Sequence, residues 1–428
     1  MVRGDDQTQE GRLAGRVGGS LSLVEEGSAE RSRDAAAHGR DRPGASADLA
    51  RAQRARVDRP RGRGHPRPVA RPDTQRISTR LRRAPTRYVP LELIARGGMA
   101  EVWKADAVLE SGETLRVAIK RVLPQLAGDE TFRSMFADEA RLGMLLRHPN
   151  IVRVYDAREV GGTFIMIMEL VEGTSLKNVL ERAHARRAFT PVATALHIAR
   201  ALASALAYAH AAIDERGNPL GIIHRDVSPH NLLLGRSGAV KLADFGLADA
   251  SVHETQLGQG MLGGKLGYLA PEIIDQRPAS PSIDIFAVGI VLWEMLCGAR
   301  LFIGQDDRGT VQAVARCVVP LASSINPRVP PVVDALLTRV LARDPERRTP
   351  SAEVLLDEIE RAIHVVDPRV SPRDVALVVN LHLATEPVAP KPRVSAAAVF
   401  EAELAAFVEH SGARDLGAAP LDPDLFGR

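Results

Sequence analysis

The stretch HRDVSPHN at residues 224–231 decides the fold class of this chain of 428 residues. DFG follows it at 244–246 and APE at 270–272, while VAIK stands upstream at 117–120. An isolated aspartate usually lies in solvent or caps a helix. Carboxylate, amide and ammonium groups in an ordered series predict instead that distant segments come together in one polar site.

The periodicity of the apolar residues changes along the chain. β-like runs are expected at 88–95, 100–107, 114–122, 151–159 and 163–169, with one helix at 132–146. After residue 174 the pattern is helical, and Thr190 and Pro191 are expected to be the N-cap and first residue of a long helix. Further helices are expected at 283–296 and within 328–362. Strands first and helices second predict an α+β fold with a small sheet lobe and a larger helical lobe.

The ordered motifs resemble the signature of protein kinases, and in particular that of bacterial eukaryotic-like (Hanks-type) serine/threonine protein kinases. The resemblance covers residues 88–362 and implies the bilobal kinase fold. An antiparallel-sheet N-lobe with one helix would span 88–171, and a helical C-lobe would span 172–362. The implied activity is transfer of the γ-phosphoryl group of ATP to Ser and Thr hydroxyls of proteins, with Mg²⁺ as cofactor and with autophosphorylation.

The resemblance assigns a role to each charged or amide residue of the motifs. Asp244 and Asn231 would offer oxygen ligands to Mg²⁺. Asp226 would accept the proton of the attacking substrate hydroxyl. Lys120 would contact the α- and β-phosphates of ATP, and Glu139 would provide its counter-charge.

Glu139 has one rival for the role of counter-charge. Asp138 is its neighbour in the predicted helix, but successive helical residues point about 100° apart. Glu139 also lies ten residues before Pro149, as the glutamate does in the family. We therefore expect Glu139 to face Lys120.

The loop expected to cover the phosphates departs from the family pattern GxGxxGxV. Residues 95–102 read ARGGMAEV, so alanines replace the outer glycines. Alanine is small enough for close backbone approach, and a hairpin without a phosphate role is the alternative. The residues that the resemblance places at the nucleotide here are Ala95, Gly97, Gly98 and Val102.

The adenine ring would lie at the end of the strand 163–169. Met168 would be the gatekeeper, while the carbonyl of Glu169 and the amide of Val171 would meet the adenine edge. Val102 and Ala118 would cover the face of the ring.

Two positions near the expected site depart from the family. The lysine that usually follows the catalytic aspartate by two residues is Ser228, and the threonine usual before the GYLAPE run is Lys265. The chain has six Lys against 50 Arg, so a retained lysine indicates a need for a compact ammonium. We expect Lys265 to reach Asp226 or Ser228 and to act as a further catalytic residue. An exposed loop lysine is the alternative.

Other positions match the scaffold of the family. Asp284 would anchor the backbone of the catalytic loop, and Arg348 would pair with Glu272. Arginine directly before the catalytic aspartate implies control by phosphorylation between DFG and APE, and Thr255 is the preferred candidate there.

The two ends of the chain differ from the kinase-like part in composition. Residues 1–87 contain 20 Arg, no Lys and no aromatic residue and carry a net charge of +9, whereas the remainder carries −6. Such a segment cannot bury enough apolar area to offset its ordering entropy, so we predict a disordered arm. A nucleic-acid-binding protein would depend on this arm alone, and no specific nucleic-acid partner is expected.

Residues 363–428 are predicted to form a C-terminal tail with short helices at 372–384 and 395–410. In the second helix Phe400, Leu404 and Phe407 recur at helical spacing. That spacing favours packing onto the parent domain or onto a partner helix rather than a catalytic role.

Several features favour the cytoplasm. The two cysteines, Cys297 and Cys317, allow no disulfide framework. We expect no membrane span and no signal peptide, because the apolar runs are short. The expected partners are ATP and protein substrates with Ser or Thr, while the oligomeric state is left open.

A pseudokinase that binds or scaffolds other proteins is the alternative to an active enzyme. A degenerate kinase is expected to have lost at least one member of the catalytic set. This chain keeps all of them: Lys120, Glu139, Asp226, Asn231 and Asp244. The complete set favours the active enzyme.

Overall fold

The computed structural model describes residues 85–126, 128–214, 216–245, 265–384, 397–409 and 414–415. The N-lobe is built on an antiparallel sheet in the order β1-β2-β3-β5-β4-β9. Its elements along the chain are β1 (Arg87–Arg96), β2 (Ala100–Val108), β3 (Thr114–Val122), α1 (Glu130–Leu145), β4 (Val154–Val160) and β5 (Thr163–Glu169).

The C-lobe is mostly helical, with one small sheet at its junction with the N-lobe. The first part contains β6 (Gly173–Ser175), α2 (Leu176–Ala185), α3 (Val192–His210), β7 (Leu232–Gly235) and β8 (Val240–Leu242). The second part contains α4 (Pro271–Ile274), α5 (Ser282–Cys297), α6 (Asp307–Arg316), α7 (Ala322–Ile325), α8 (Pro331–Val340) and α9 (Ala352–Val366). Strands β6, β7 and β8 pair antiparallel in that order.

Two further helices follow α9, and each packs on a different lobe. Helix α10 (Pro372–Ala384) buries Val375 and Val379 in the core of the C-lobe. Helix α11 (Ala397–Glu409) packs on the N-lobe sheet, and β9 (Arg414–Asp415) pairs with the edge of β4. Packing onto the parent domain, one of the two alternatives for the second helix, is therefore observed.

The sheet of the N-lobe has a helix on each face. Successive side chains of a strand point to opposite faces, so each strand contributes to both of the clusters beneath these helices. Phe164 and Met166 of β5 face α1, where they join Phe136 and Ala140 in one cluster. The intervening residue Ile165 belongs to the opposite cluster, which includes α11. The N-lobe thus has three layers.

Helix α3 runs through the core of the C-lobe, between α5 and α9. By length and composition it is apolar enough to cross a membrane, and 72% of that apolar window is buried inside the protein. The expectation that apolar runs are too short is therefore wrong for Val192–His210. Its buried side chains surround most of the helix, as is usual for a core helix.

The predicted elements agree with the structure except at a few boundaries, but the expectation of helices alone after residue 174 is wrong for strands β7 and β8. Thr190 is not the N-cap of α3: Pro191 has ψ 136° and takes that position, while the Thr190 amide donates to the carbonyl of Met295 at 3.0 Å. The predicted C-terminal boundary of the kinase-like part, residue 362, falls inside α9, which continues to Val366.

Candidate active site

The catalytic loop is fixed from below by Asp284 on α5. This carboxylate is buried and accepts hydrogen bonds from the amides of His224 at 2.8 Å and Arg225 at 2.9 Å. A third contact of this carboxylate is with the ring of His210, at 2.9 Å. Arg225 has a φ of +65°, a left-handed conformation that costs free energy in a non-glycine residue. The predicted anchoring role of Asp284 is confirmed.

Asp226 projects from this loop and is held by two donors. The amide of Asn231 donates to its Oδ2 at 2.8 Å and also to its backbone carbonyl at 2.9 Å. The ammonium of Lys265 donates to the same Oδ2 at 2.5 Å. The expected reach of Lys265 to Asp226 is therefore observed, whereas its catalytic role stays a prediction.

Lys120 lies on β3 and connects the two lobes. Its Nζ is 2.6 Å from Glu139 Oε1 on α1 and 3.0 Å from Asp244 Oδ1, which follows β8. Asp138, the rival of Glu139, pairs instead with Arg141 at 2.6 Å. The expected contact of Lys120 with Glu139 is therefore observed, and the contact of Lys120 with Asp244 is an addition that the sequence did not predict.

The two carboxylates beside Lys120 have opposite pKa shifts. For Asp244, burial is the largest single effect and would raise the pKa, but Lys120, Glu139 and Lys265 together lower it to about 2. For Glu139, burial raises the pKa to about 8, with a further increase from Asp244 and a partial offset by Lys120. The shared Lys120 ammonium thus contributes to a net lowering of the pKa of Asp244, whereas at Glu139 burial outweighs its effect. The Oε2 of Glu139 is buried without a hydrogen-bond partner among the described residues.

The two segments that carry the residues expected to hold Mg²⁺ are adjacent. The amide of Ala243 donates to the carbonyl of Asn231 at 2.8 Å, which brings the residue before Asp244 against the catalytic loop. The described residues contain no group of three or more acidic, His or Cys side chains suited to a metal. Mg²⁺ commonly takes only one or two protein ligands and completes its shell with phosphates and water. Asp244 and the Asn231 amide oxygen fit that donor set.

The loop at 97–100 is a tight turn between β1 and β2. The amide of Gly97 donates to the carbonyl of Ala100 at 2.8 Å, while Ala95 lies in β1 and Gly98 in the turn. A methyl group added at Gly97 would meet only that carbonyl, at an ordinary 3.6 Å. The turn itself therefore does not require glycine at 97, and the open space suits close approach of a ligand.

The predicted adenine-site residues lie on three neighbouring segments. Val102 of β2 pairs with Lys120 of β3, and Ala118 pairs with Met168 of β5. Glu169 ends β5, and Val171 follows it in the connection to β6. The Glu169 side chain pairs with Lys241, whose Nζ is 2.8 Å from Oε2, and the Glu169 amide donates to the carbonyl of Arg153 at 2.8 Å.

Ser228 and His230 lie inside the catalytic loop. The Ser228 side chain is buried, and its hydroxyl has no hydrogen-bond partner among the described residues. Lys265 thus contacts Asp226 rather than this hydroxyl. Burial, together with nearby cations such as Lys177, lowers the pKa of His230 to about 4, so this ring is neutral at pH 7.

The scaffold pair Arg348 and Glu272 is also formed. Their guanidinium and carboxylate atoms lie 2.6 and 3.1 Å apart, and the Arg348 side chain is fully buried. The predicted pairing is confirmed. Thr255 and Gly246 lie outside the described residues.

One buried polar network was not anticipated from the sequence. Arg121, the residue after Lys120, donates to both carboxylate oxygens of Glu403 on α11, at 2.6 and 2.5 Å. The apolar spacing around Glu403 indicated a packed helix. Nothing in that spacing identified the strand that it contacts.

The two lobes and the site at their junction define a class of protein: the chain belongs to the protein kinase family, whose protein kinase domain model matches residues 88–358. The predicted fold and the resemblance to bacterial serine/threonine kinases are thereby confirmed.

Particular relatives are found among bacteria. The chain is 32% identical over 342 residues to the tyrosine-protein kinase MasK of Myxococcus xanthus, which covers 79% of this chain and 53% of the relative. It is 35% identical over 276 residues to the serine/threonine-protein kinase PrkC of Bacillus subtilis, covering 64% of this chain and 40% of PrkC. It is 37% identical over 265 residues to the serine/threonine-protein kinase PknH of Mycobacterium tuberculosis, covering 61% and 39%.

Among solved structures, the Mycobacterium tuberculosis PknI kinase domain aligns with 65% of this chain and 96% of that domain, at 26% identity and a TM-score of 0.47. The chain spans about half or less of the length of the three curated relatives named above.

Proposed function

We propose that this chain is an active serine/threonine protein kinase that transfers the γ-phosphoryl group of ATP to protein hydroxyls. The observation that carries the proposal is the double contact of Lys120, at 2.6 Å with Glu139 and at 3.0 Å with Asp244. A lysine held between the two lobes in this way is already positioned for phosphates, and positioning is most of what phosphoryl transfer asks of a protein. A pseudokinase needs no such arrangement.

Each residue of the site has its own role in the proposed reaction. Bound Mg²⁺ supplies charge compensation for the phosphates, and Asp244 and Asn231 are the residues that hold it. Asp226, kept in place by the Asn231 amide, takes the proton of the substrate hydroxyl. Lys265 supplies a positive charge at the reacting end of the site, since its ammonium already contacts Asp226.

The proposed acceptor is a Ser or Thr hydroxyl rather than Tyr. The relatives PrkC and PknH are named serine/threonine-protein kinases, and they support this choice. MasK is named a tyrosine-protein kinase, so a tyrosine acceptor is the second candidate. We further propose that the enzyme acts in the cytoplasm, because ATP is its phosphoryl donor.

The test is incubation of the full chain with γ-labelled ATP, Mg²⁺ and a generic basic protein, followed by phosphoamino-acid analysis. Labelled phosphoserine and phosphothreonine support the proposal. Asp226→Asn should lower the rate by ~10²–10⁴, the usual cost of losing a general base. The exposed Asp357 on α9 offers a matched control, and Asp357→Asn should keep the wild-type rate. Equal rates in all three proteins would refute the proposed activity, and labelled phosphotyrosine alone would favour the second candidate.

A further inference from the structure

One face of the N-lobe sheet is covered by the chain's own helix α11. Phe400, Leu404 and Phe407 stand at positions i, i+4 and i+7 and are 0%, 0% and 2% exposed. The ring of Phe400 lies 5.4 Å from that of Trp103, and the ring of Phe407 lies 5.8 Å from that of Tyr88. The two elements share one apolar core.

A polar contact fixes the position of α11 on this face. The guanidinium of Arg121 is only 6% exposed and is shared between Glu403 of α11 and Glu101 of β2, at 3.0 Å from the latter. Removing one partner from a buried ion pair is strongly unfavourable, so the pair specifies a single docked position. Arg158 adds a hydrogen bond to the carbonyl of Phe407 at 3.1 Å.

The strand behind this contact is the strand of the catalytic lysine. Lys120 and Arg121 are neighbours on β3, so their side chains point to opposite faces of the sheet. Lys120 meets Glu139 on α1, and Arg121 meets Glu403 on α11. Helix α11 therefore contacts the side chain next to Lys120, on the opposite face of the strand that presents Lys120 to the nucleotide site.

We propose that helix α11 and strand β9 together are an intramolecular activating segment, and that the sheet face around Trp103 and Arg121 is its binding site. Docking of the segment holds β3 so that Lys120 stays against Glu139. Its release lowers both ATP affinity and phosphoryl transfer. The occupant is a segment of this chain, because β9 continues the sheet from the same segment. Only the 12 residues 385–396 separate α10 from α11 along the chain, so docking is intramolecular.

The inference rests on the proposed function only for its catalytic part, and the experiment separates the two. The full chain carrying Phe400→Asp with Phe407→Asp is titrated with a labelled peptide of residues 395–416. We expect the peptide to bind this variant and not the wild-type chain, whose own segment fills the site. Leu377 and Leu381 on α10 are 71% and 63% exposed, so Leu377→Asp with Leu381→Asp is a matched control that should behave as wild type.

The second measurement is nucleotide affinity, followed by a fluorescent ATP analogue whether or not transfer occurs. The chain with Phe400→Asp and Phe407→Asp should bind the analogue about tenfold more weakly, because Lys120 loses its charge-assisted contact with the phosphates. Saturating peptide should restore both nucleotide affinity and the transfer rate. A peptide with Gln at position 403 should bind about tenfold less well, because it too loses a charge-assisted contact. If the chain with Phe400→Asp and Phe407→Asp does not fold, a chain carrying Glu403→Gln replaces it. In that chain the peptide with Gln at position 403 should compete with the chain's own segment more weakly than the unchanged peptide does.

Each result has one meaning. Failure of the peptide to bind, or binding without recovery of nucleotide affinity, overturns the activating segment. Peptide binding and restored nucleotide affinity in a chain that transfers no phosphate would leave the segment standing and refute the proposed enzyme activity.

Discussion

Replacement of Lys265 by Met tests the charge that this chain brings to its catalytic aspartate. The Lys265 ammonium lies 2.5 Å from Asp226 Oδ2, and the two side chains are 41% and 21% exposed. Two unit charges about 4 Å apart interact by ~1 kcal/mol in water and by ~4 kcal/mol at a dielectric constant near 20. Partial exposure puts this site between the limits, so we take about 2 kcal/mol for the lost interaction with the developing charge.

This free energy corresponds to a rate roughly 30-fold lower, since 1.36 kcal/mol is a factor of ten. The loss should fall on kcat and leave the KM for ATP within about twofold, because the contact is at the reacting end of the site. Steady-state transfer with saturating ATP measures kcat, and an ATP titration measures KM. Met keeps the length of the lysine side chain but removes its charge.

Lys177 provides the control for this measurement. Its side chain is also 41% exposed, and its ammonium pairs with Glu181 at 3.5 Å rather than with a catalytic group. Lys177→Met should therefore keep the wild-type kcat. A Lys265→Met enzyme with normal kcat, or equal losses in the two variants, would refute the reasoning. The exchange of Ser228→Lys with Lys265→Thr should recover much of the loss, since it returns an ammonium to the same site.

Three further predictions concern stability. Glu272→Gln should lower the free energy of unfolding by about 3–5 kcal/mol in urea titrations, because it leaves Arg348 buried without its charge partner. The exposed pair of Asp275 offers the control, and Asp275→Asn should change it by less than about 1 kcal/mol; similar losses in both would contradict the account. The raised pKa of Glu139 means that the folded state binds its proton more tightly than the unfolded chain does, so this group's contribution to stability falls as pH rises from about 5 to 8. Melting temperatures at pH 5.5 and 7.5 should therefore show a smaller decrease, or a larger increase, for Glu139→Gln than for wild type, and identical pH responses would disprove the shift. Removal of residues 1–80 should leave the melting temperature and ATP affinity unchanged, and a drop of many degrees would show that the arm belongs to the fold.

The catalytic set was predictable from the sequence because its chemistry restricts each position to one residue type. Only a carboxylate serves as base at 226, and the order of motifs along the chain placed Lys120 and Asp244 before any distance was known. The contact of Lys265 with Asp226 was predictable because Ser228 and Lys265 replace a lysine and a threonine that are usual in the family and that contact each other there. In these cases the motifs and their resemblance to the protein-kinase signature were enough.

The remaining features depend on contacts between distant segments. The spacing of Phe400 and Phe407 indicated an apolar stripe, but an apolar stripe packs on any face of suitable shape, and only the fold selects the sheet around Arg121. The cap of α3 was predicted one residue too early, because Pro191 has an extended ψ of 136° and the helix begins only after it, while the Thr190 amide donates to the distant Met295. Helix α3 is apolar around most of its surface because it lies in the centre of the C-lobe, between α5 and α9.

The three-layered N-lobe has a practical consequence for anyone who divides this chain into fragments. A recombinant piece that stops at residue 384, where α10 ends, lacks α11 and leaves Trp103 and Tyr88 facing water. Contiguous exposed apolar patches of this kind promote self-association. Such a fragment should precipitate or form oligomers during purification, whereas one that continues through residue 415 should stay monodisperse under the same buffer.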